Sequence, residues 1–181
     1  LSEVLRLVNP GTRIEAAFDS YLIFEAISED PSVKVGIFSK IDKNNSNRPW
    51  FFTNTSSIPI RKLNKEAALE GRIIGFHFYN PPAIQKLVEL IKAGDTVKDL
   101  EVFARQFAAN LKKIVVTSND FAGFIGNGHF MRDALYAIDE VDKLQTKLKF
   151  AEAIYIVNKI SQDYLIRPMG IFQLIDYVGI D

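Results

Sequence analysis

A histidine and a glutamate twelve positions apart are the residues of this chain best suited to proton-transfer chemistry. His77 lies in a β-like run, and Glu89 lies in a second, otherwise apolar segment. The histidine side chain has an unperturbed pKa of about 6.5, which makes it a natural general base for an alcohol near neutral pH. A carboxylate on its other ring nitrogen holds one tautomer and stabilises the imidazolium that forms. His77 and Glu89 are therefore a candidate base and its partner.

Each candidate residue also has a purely structural interpretation. A histidine between two aromatic residues, as His77 is, can be a buried and hydrogen-bonded ring, and Glu89 can be a solvent-exposed charge. Ser56 follows a predicted strand and precedes a predicted helix, which is the usual position of an N-cap. Asn127 precedes Gly128 in a dipeptide that favours turns. For these four residues, residue type leaves both interpretations open. For His129, the second histidine of the chain, we predict a structural role.

The composition limits the classes of partner. The 181 residues include 22 basic and 22 acidic side chains, so the formal net charge is zero. Without a cationic excess, nucleic acid is not an expected partner. No apolar run approaches the roughly 20 residues of a membrane span, so we expect no membrane association. The absence of cysteine excludes disulfides, thiolate metal sites and a cysteine nucleophile, and we expect no metal centre.

Short β-like runs alternate with helical patterns over the first two-thirds of the chain, which predicts an α/β layer structure. The predicted strands are residues 21–26, 50–53, 72–78, 86–90 and 114–117, the first of them covered on both faces. The predicted helices begin at Pro31, at Ser56 or Ser57, and at Thr96, and residues 42–49 are predicted to form a loop. After residue 118 the periodicity is mainly helical and strongest over residues 143–160, with breaks near Gly126–Gly128, Pro168 and Gly170. We place a domain boundary near residue 119.

Four segments carry a resemblance to a known family. Asn54-Thr55-Ser56-Ser57 matches N-T-S-S, and His77-Phe78-Tyr79-Asn80-Pro81 with Lys86–Glu89 matches H-F-F-N-P…K-L-V-E. Asp120–Asn127 matches D-x-x-G-F-I-x-N, and Glu25–Glu29 followed by Lys34 matches E-A-x-x-E with its lysine. The first three, in this order and spacing, resemble the signatures of the 3-hydroxyacyl-CoA dehydrogenases, and the fourth matches the cofactor-site pattern of that family.

The resemblance implies a fold, a cofactor and a set of site residues. The expected fold is α/β, with the later part of a Rossmann-type NAD-binding domain at residues 1–118 and the start of an all-α C-terminal domain at residues 119–181. The expected reaction is the NAD-dependent oxidation of 3-hydroxyacyl-CoA to 3-ketoacyl-CoA. The implied catalytic and substrate-binding residues are His77, Glu89, Ser56 and Asn127. The implied NAD-binding residues are Ala26, Glu29, Lys34, Ser56 and Asn80. An acyl-CoA substrate, a possible homodimer through the helical domain and a cytoplasmic location (the mitochondrial matrix in a eukaryote) are expected as well.

Two departures from the family pattern leave alternatives open. No G-x-G-x-x-G occurs in the chain, although that turn brings a pyrophosphate onto a helix N-terminus. Since the turn lies upstream in the family and the chain begins at Leu1, we expect that the native N-terminus is missing; the alternative is a degenerate homologue. Gly128 stands where relatives usually have arginine, and residues 139–168 match poorly. The alternative functions are an NAD(P)-dependent hydroxyacid dehydrogenase with a non-CoA substrate and a non-catalytic binding protein.

Overall fold

The computed structural model describes residues 6–165 and 167–179. It divides the chain into two compact units, one ending at Ile125 and the other beginning at Gly126. The outer limits predicted for the two domains, residues 1 and 181, lie outside the described residues. The predicted boundary near residue 119 falls earlier than this division because residues 120 and 125 are hydrogen-bonded to elements of the first unit.

The first unit is built on one five-stranded sheet whose strands lie side by side in chain order. The strands are β1 (Leu22–Glu25), β2 (Trp50–Thr53), β3 (Ile73–Phe78), β4 (Leu87–Ile91) and β5 (Ile114–Ser118). Strands β1, β2 and β3 are parallel, β4 is antiparallel to β3, and β5 is parallel to β4. A short 3-10 helix (Ile14–Ala17) and helices α1 (Pro31–Asn44), α2 (Ile60–Glu66) and α3 (Lys98–Asn110) complete the unit. The α/β, Rossmann-type fold that the sequence predicted is confirmed.

Alternation along the strands divides the core between the two faces of the sheet. Phe51 packs with Phe38 of α1 and Leu63 of α2, whereas its neighbour Phe52 packs with Leu100 of α3. Successive side chains of a strand point to opposite faces, so one strand supplies both cores. The same alternation places Thr53, His77, Glu25 and Glu89 on the face that α1 and α2 cover. The polar residues of interest therefore share one side of the sheet.

Two of the three predicted helix starts in the first unit differ from those in the structure. Pro31 does occupy the first turn of α1, where Asp30 accepts hydrogen bonds from the Ser32 and Val33 amides at 2.8 and 3.1 Å. The predicted serine cap of α2 is wrong, because the serine hydroxyls of residues 56 and 57 donate to a distant glutamate instead. The helix predicted to begin at Thr96 begins instead at Lys98, and the Thr96 hydroxyl donates to the carbonyl of Ile73 at 3.3 Å.

One further expectation about the first unit is wrong, and another is met only in part. Helix α1 continues to Asn44, so it takes up the start of the predicted loop 42–49. Strand β1 is only partly covered: Ile23 and Leu22 pack against the cores on opposite faces of the sheet, but 40% of Phe24 is exposed. Phe24 belongs to a ring cluster, in which it contacts Phe52, Phe76 and Phe78 with centroids 5.8–5.9 Å apart.

The described part of the second unit consists of three helices. They are α4 (Gly126–Leu144), α5 (Phe150–Asp163) and α6 (Ile171–Val178). The periodic segment 143–160 is therefore interrupted by residues 145–149, and the predicted break at Gly126–Gly128 is the first turn of α4. The break near Pro168 and Gly170 is confirmed, since these residues separate α5 from α6. Across the described ranges, no helix has the length and apolar character needed to cross a membrane.

Candidate active site

Strands β3 and β4 bring His77 and Glu89 together. The antiparallel register sets the two residues directly opposite each other, on the same face of the sheet. His77 Nδ1 lies 2.8 Å from Glu89 Oε2, and the two residues are only 7% and 1% exposed. A charged carboxylate is expensive to bury without a partner. The contact between His77 and Glu89 depends on a cross-strand register that sequence spacing alone did not give, and the catalytic role of the pair stays a prediction.

The contact has a direct chemical consequence for the histidine ring. With Nδ1 held by a carboxylate, that nitrogen carries the proton in the neutral ring. The free lone pair is then on Nε2, through which the ring can take up a proton. The nearby carboxylate stabilises the imidazolium that results. This arrangement suits a general base in alcohol oxidation and a general acid in ketone reduction.

The segment that follows β5 closes over the same pair. The amide of Ile125 donates to Glu89 Oε1 at 3.0 Å, so protein groups bind both carboxylate oxygens. The Phe124 ring lies 5.9 Å from the His77 ring, centroid to centroid. Phe124 has a φ of 48°, in the left-handed region that residues other than glycine rarely adopt. Such backbone strain is often found at functional sites, where the surrounding structure maintains it.

A second polar cluster lies where β1 and β2 end. Glu25 closes β1 and is paired in register with Thr53, which closes β2. Glu25 Oε2 accepts the Thr53 hydroxyl at 2.5 Å, and its Oε1 accepts Lys34 Nζ at 2.6 Å and the Ile27 amide at 2.7 Å. The side chains of Lys34 and Glu25 are 1% and 2% exposed. Lys34 is thus a buried partner of the sheet and not the ordinary surface charge that its residue type suggests.

Glu29 is the centre around which the Asn-Thr-Ser-Ser loop is ordered. Its Oε1 accepts the Thr55 hydroxyl at 2.6 Å and the amides of Ser56 and Ser57 at 2.8 and 2.9 Å. Lys34 Nζ lies 3.3 Å from its Oε2. Burial alone would raise the pKa of Glu29, but these hydrogen bonds and the Lys34 charge outweigh it and lower that pKa. Glu29, Lys34 and Ser56 therefore form one connected cluster.

The remaining cofactor candidates lie at the same edge of the sheet. Ala26 directly follows β1, Asn80 follows β3 by two residues, and both are exposed. The carboxyl ends of parallel strands meet at one edge, which is where α/β folds bind nucleotides. Asn54 connects two of these ends, because its side-chain oxygen accepts the Phe78 amide at 2.9 Å.

Asn127 belongs to the unit that begins at Gly126, where it lies in the first turn of α4. It is not a turn residue, and its action together with His77 stays a prediction. His129 is exposed on the same helix. Among the described residues, no group of three or more histidine, aspartate or glutamate side chains is arranged to hold a metal ion.

Glu25, Asn54 and Asp120 are not among the predicted site residues, yet each has a role in the structure. Asp120 supplies the true cap of α2, since its carboxylate accepts the Ile60 and Arg61 amides at 2.5 and 2.9 Å. Glu25 did carry a signal, because it is a charged residue at the end of an apolar run. The only sequence signal for Asp120 was its position in a motif, because its hydrogen-bond partners lie about sixty residues away in the chain.

The second unit contains an apolar hollow of about 310 Å³ between α4, α5 and α6. Aliphatic side chains such as Ile156 and Ile160 dominate its lining. Its ionisable residues include Asp133 and Arg167, which are paired with each other. We assign no proton-transfer chemistry to this hollow.

Fold and site together define the class of protein. A mainly parallel sheet that gathers polar residues at its carboxyl edge, beside a buried histidine–carboxylate pair, is typical of Rossmann-type dehydrogenases. Residues 1–121 match the family model of the 3-hydroxyacyl-CoA dehydrogenase, NAD binding domain. The chain belongs to the 3-hydroxyacyl-CoA dehydrogenase family, which confirms the resemblance noted in the sequence and supports NAD as the cofactor.

Relatives from bacteria and animals support the assignment. A 3-hydroxybutyryl-CoA dehydrogenase of Mycobacterium tuberculosis is 34% identical over 98% of this chain and 60% of its own length. The mitochondrial hydroxyacyl-coenzyme A dehydrogenase of Sus scrofa is 34% identical over 88% of this chain and 49% of its own. The crystal structure of M. tuberculosis FadB2 superposes with a TM-score of 0.84 at 30% identity, over 98% of this chain and 61% of that one. The chain thus spans about half to three-fifths of the length of these relatives.

Proposed function

We propose that the protein containing this chain is an NAD-dependent 3-hydroxyacyl-CoA dehydrogenase, which oxidises 3-hydroxyacyl-CoA to 3-ketoacyl-CoA in fatty-acid β-oxidation or 3-hydroxybutyryl-CoA metabolism. The observation that carries the proposal is the buried contact of 2.8 Å between His77 Nδ1 and Glu89 Oε2. This pair lies in a chain whose family is defined by an NAD-binding domain. The names of the relatives agree on a 3-hydroxyacyl-CoA substrate class.

In the proposed mechanism, His77 acts through Nε2. This nitrogen removes the proton of the 3-hydroxyl group as the C3–H bond breaks, and the C–O bond becomes a carbonyl. When bound, NAD supplies the acceptor for the hydride that leaves C3. Glu89 keeps the proton of the neutral ring on Nδ1 and stabilises the imidazolium as it forms. Ser56 is proposed to bind the reacting oxygen of the substrate, and Asn127 is proposed as a further substrate-binding residue.

The residues at the carboxyl edge fit a dinucleotide. Ala26 is exposed and small at the end of β1, so it leaves room for a flat ring system close to the backbone. Glu29 is favoured as a carboxylate, which is a good acceptor for ribose hydroxyl groups. Ser56 and Asn80 complete the proposed NAD contacts, and the buried Lys34 is proposed to line the site through its ion pair with Glu29. A homodimer formed through the helical domain and a cytoplasmic location (the matrix in a eukaryote) are part of the same proposal.

The first test is NADH oxidation with acetoacetyl-CoA, using the longest native form of the protein. General acid–base help is typically worth about 10²–10⁴-fold in rate, so His77→Gln should reduce turnover by about that factor. His129→Gln is the matched control, because His129 is exposed on α4, and it should retain wild-type turnover.

Equal turnover of wild type and His77→Gln would refute the proposed base. A folded protein that binds NADH but does not turn over acetoacetyl-CoA would indicate a hydroxyacid dehydrogenase with a non-CoA substrate. A folded protein that neither binds NADH nor turns over would indicate the non-catalytic binding protein. Circular dichroism of each variant establishes that the loss is not unfolding.

A further inference from the structure

Tyr79 stands beside the His77–Glu89 pair at a position where the family motif has phenylalanine. In this chain the H-F-F-N-P motif is His77-Phe78-Tyr79-Asn80-Pro81. Tyr79 lies two positions after His77, so both side chains lie on the same face of the extended chain. Their rings are 5.4 Å apart, centroid to centroid, at an angle of 43°. The tyrosine therefore adds one hydroxyl group to the surroundings of the proposed base.

The register of β3 and β4 brings this hydroxyl toward Glu89. Phe78 lies opposite Val88 and His77 lies opposite Glu89, so Tyr79 and Glu89 are diagonal neighbours on one face. Diagonal neighbours are within reach of each other when one of them is an aromatic side chain. Burial raises the pKa of the Tyr79 phenol, and hydrogen bonding to Glu89 and its negative charge raise it further. A phenol in this environment keeps its proton and is available as a donor.

Polar and charged groups near the Glu89 carboxylate come from several elements. His77 and Tyr79 face the carboxylate from β3 and the residue after it, while β5 places the apolar Val116 opposite Glu89. The segment after β5 contributes the amide of Ile125. The nearby cation Lys113 lies over Phe78, on the other face of β3, and donates to the carbonyl of Gln85 at 2.6 Å. Lys113 therefore does not face the Glu89 carboxylate.

We propose that Tyr79 is a positioning residue that shares the Glu89 carboxylate with His77 by donating its hydroxyl hydrogen to it. A donor on a carboxylate withdraws part of its negative charge, so the carboxylate attracts an imidazolium less strongly. Tyr79 thereby favours the neutral form of His77, which is the form that removes a proton from an alcohol. The chain can then oxidise its substrate at lower pH than it could with phenylalanine in this position. This inference rests on the proposed function for its role in turnover.

The test is Tyr79→Phe, which restores the family residue and removes a single oxygen atom. The rate of 3-hydroxybutyryl-CoA oxidation with NAD is measured against pH, and protonation of the His77 ring is followed in parallel by NMR, with His129 as reference. Tyr79→Phe should move the acidic limb of the kcat/KM profile and the His77 midpoint upward together. The expected shift is roughly 0.5–1 pH unit, or about three- to tenfold in proton affinity. Tyr21→Phe, at an exposed tyrosine of the same unit, should move neither.

The two readouts separate this inference from the proposed function. A His77 midpoint that is unchanged or lower in Tyr79→Phe would overturn the role of Tyr79, whatever the activity. An upward midpoint in a protein without dehydrogenase turnover would support the Tyr79–Glu89 interaction and refute the proposed reaction. A second variant, Tyr79→Phe combined with Glu89→Gln, should show no further shift relative to Glu89→Gln alone, because the shared carboxylate is gone.

Discussion

At the scale of residues, burial holds the charged side chains of this site in fixed positions. Glu25, Lys34 and Glu89 are almost completely enclosed, and each has a partner of complementary charge or hydrogen-bonding character. A carboxylate in such a place is held in one orientation, which a solvent-exposed carboxylate is not. The site thus starts from fixed charges, as catalysis by positioned groups requires.

The Glu25–Lys34 pair should be strongly coupled in stability. Removing one member leaves a buried charge without its partner, which typically costs about 3–5 kcal/mol of unfolding free energy. Glu25→Gln and Lys34→Met should each destabilise by about that amount, and the double variant by clearly less than the sum. Urea denaturation of all four proteins measures the coupling. Glu15→Gln, in an exposed ion pair, is the control and should change stability by less than about 0.5 kcal/mol. Additive losses would contradict a direct charge pair.

Glu29 should make stability depend on pH in the acid range. Its pKa is lower in the folded protein than the ordinary value of 4.5, so the folded state favours the carboxylate. Its contribution is complete above the unfolded pKa and is lost as pH falls through the folded pKa. Between about pH 5 and 3, the wild type should therefore lose stability more steeply than Glu29→Gln. Urea midpoints across that range test this, and parallel curves would show that Glu29 contributes no linkage.

At the scale of elements, α2 depends on a cap from a distant segment. Asp120 follows β5, yet its carboxylate binds the first two amides of α2 and so satisfies donors that a helix start leaves open. The Arg61 guanidinium also donates to the Asp120 carbonyl. Asp120, the first residue of the D-x-x-G-F-I-x-N motif, therefore has a structural role. It holds residues 120–125 next to the sheet.

Removal of this cap should cost a measurable amount of stability. Asp120→Ala should lower the free energy of unfolding by about 0.5–2 kcal/mol, the usual range for loss of an N-cap. Asp19→Ala changes an exposed aspartate outside the helices and should have little effect. Denaturant unfolding of the two variants measures the difference in their free energies of unfolding. If Asp120→Ala were as stable as Asp19→Ala, the α2 amides would have to be satisfied without the aspartate.

The elements themselves were predictable where the local pattern was strong. All five strands form within a few residues of their predicted limits, because β-branched and aromatic runs have a clear period. The helix starts were less predictable. Ser56, Ser57 and Thr96 are good cap residues by type, but each hydroxyl has a partner elsewhere in the fold. A hydroxyl group caps a helix only when it has no better hydrogen-bond partner. The sequence shows the partners that are near in the chain and not those that the fold brings close.

At the scale of the whole molecule, the described chain consists of an α/β unit and a unit of three helices. The family match covers residues 1–121, so it concerns mainly the unit that contains His77, Glu89 and the Glu29 cluster. The matched model is that of an NAD-binding domain, which agrees with the small-molecule cofactor expected from the sequence.

The sequence by itself was enough to predict the family from its motifs, the α/β class from its alternating β-like and helical runs, and His77 as the candidate base. These predictions depend only on residue types and short spacings. The contacts that turn these residues into a site join segments far apart in the chain. Glu29 binds Ser56 across 27 positions, and Asp120 binds Ile60 across 60. Register and packing decide such contacts, because a strand pairing or a buried charge depends on the free energy of the assembled fold. The diagonal pairing of Tyr79 and Glu89 is also decided by register, because it depends on the antiparallel alignment of β4 with β3.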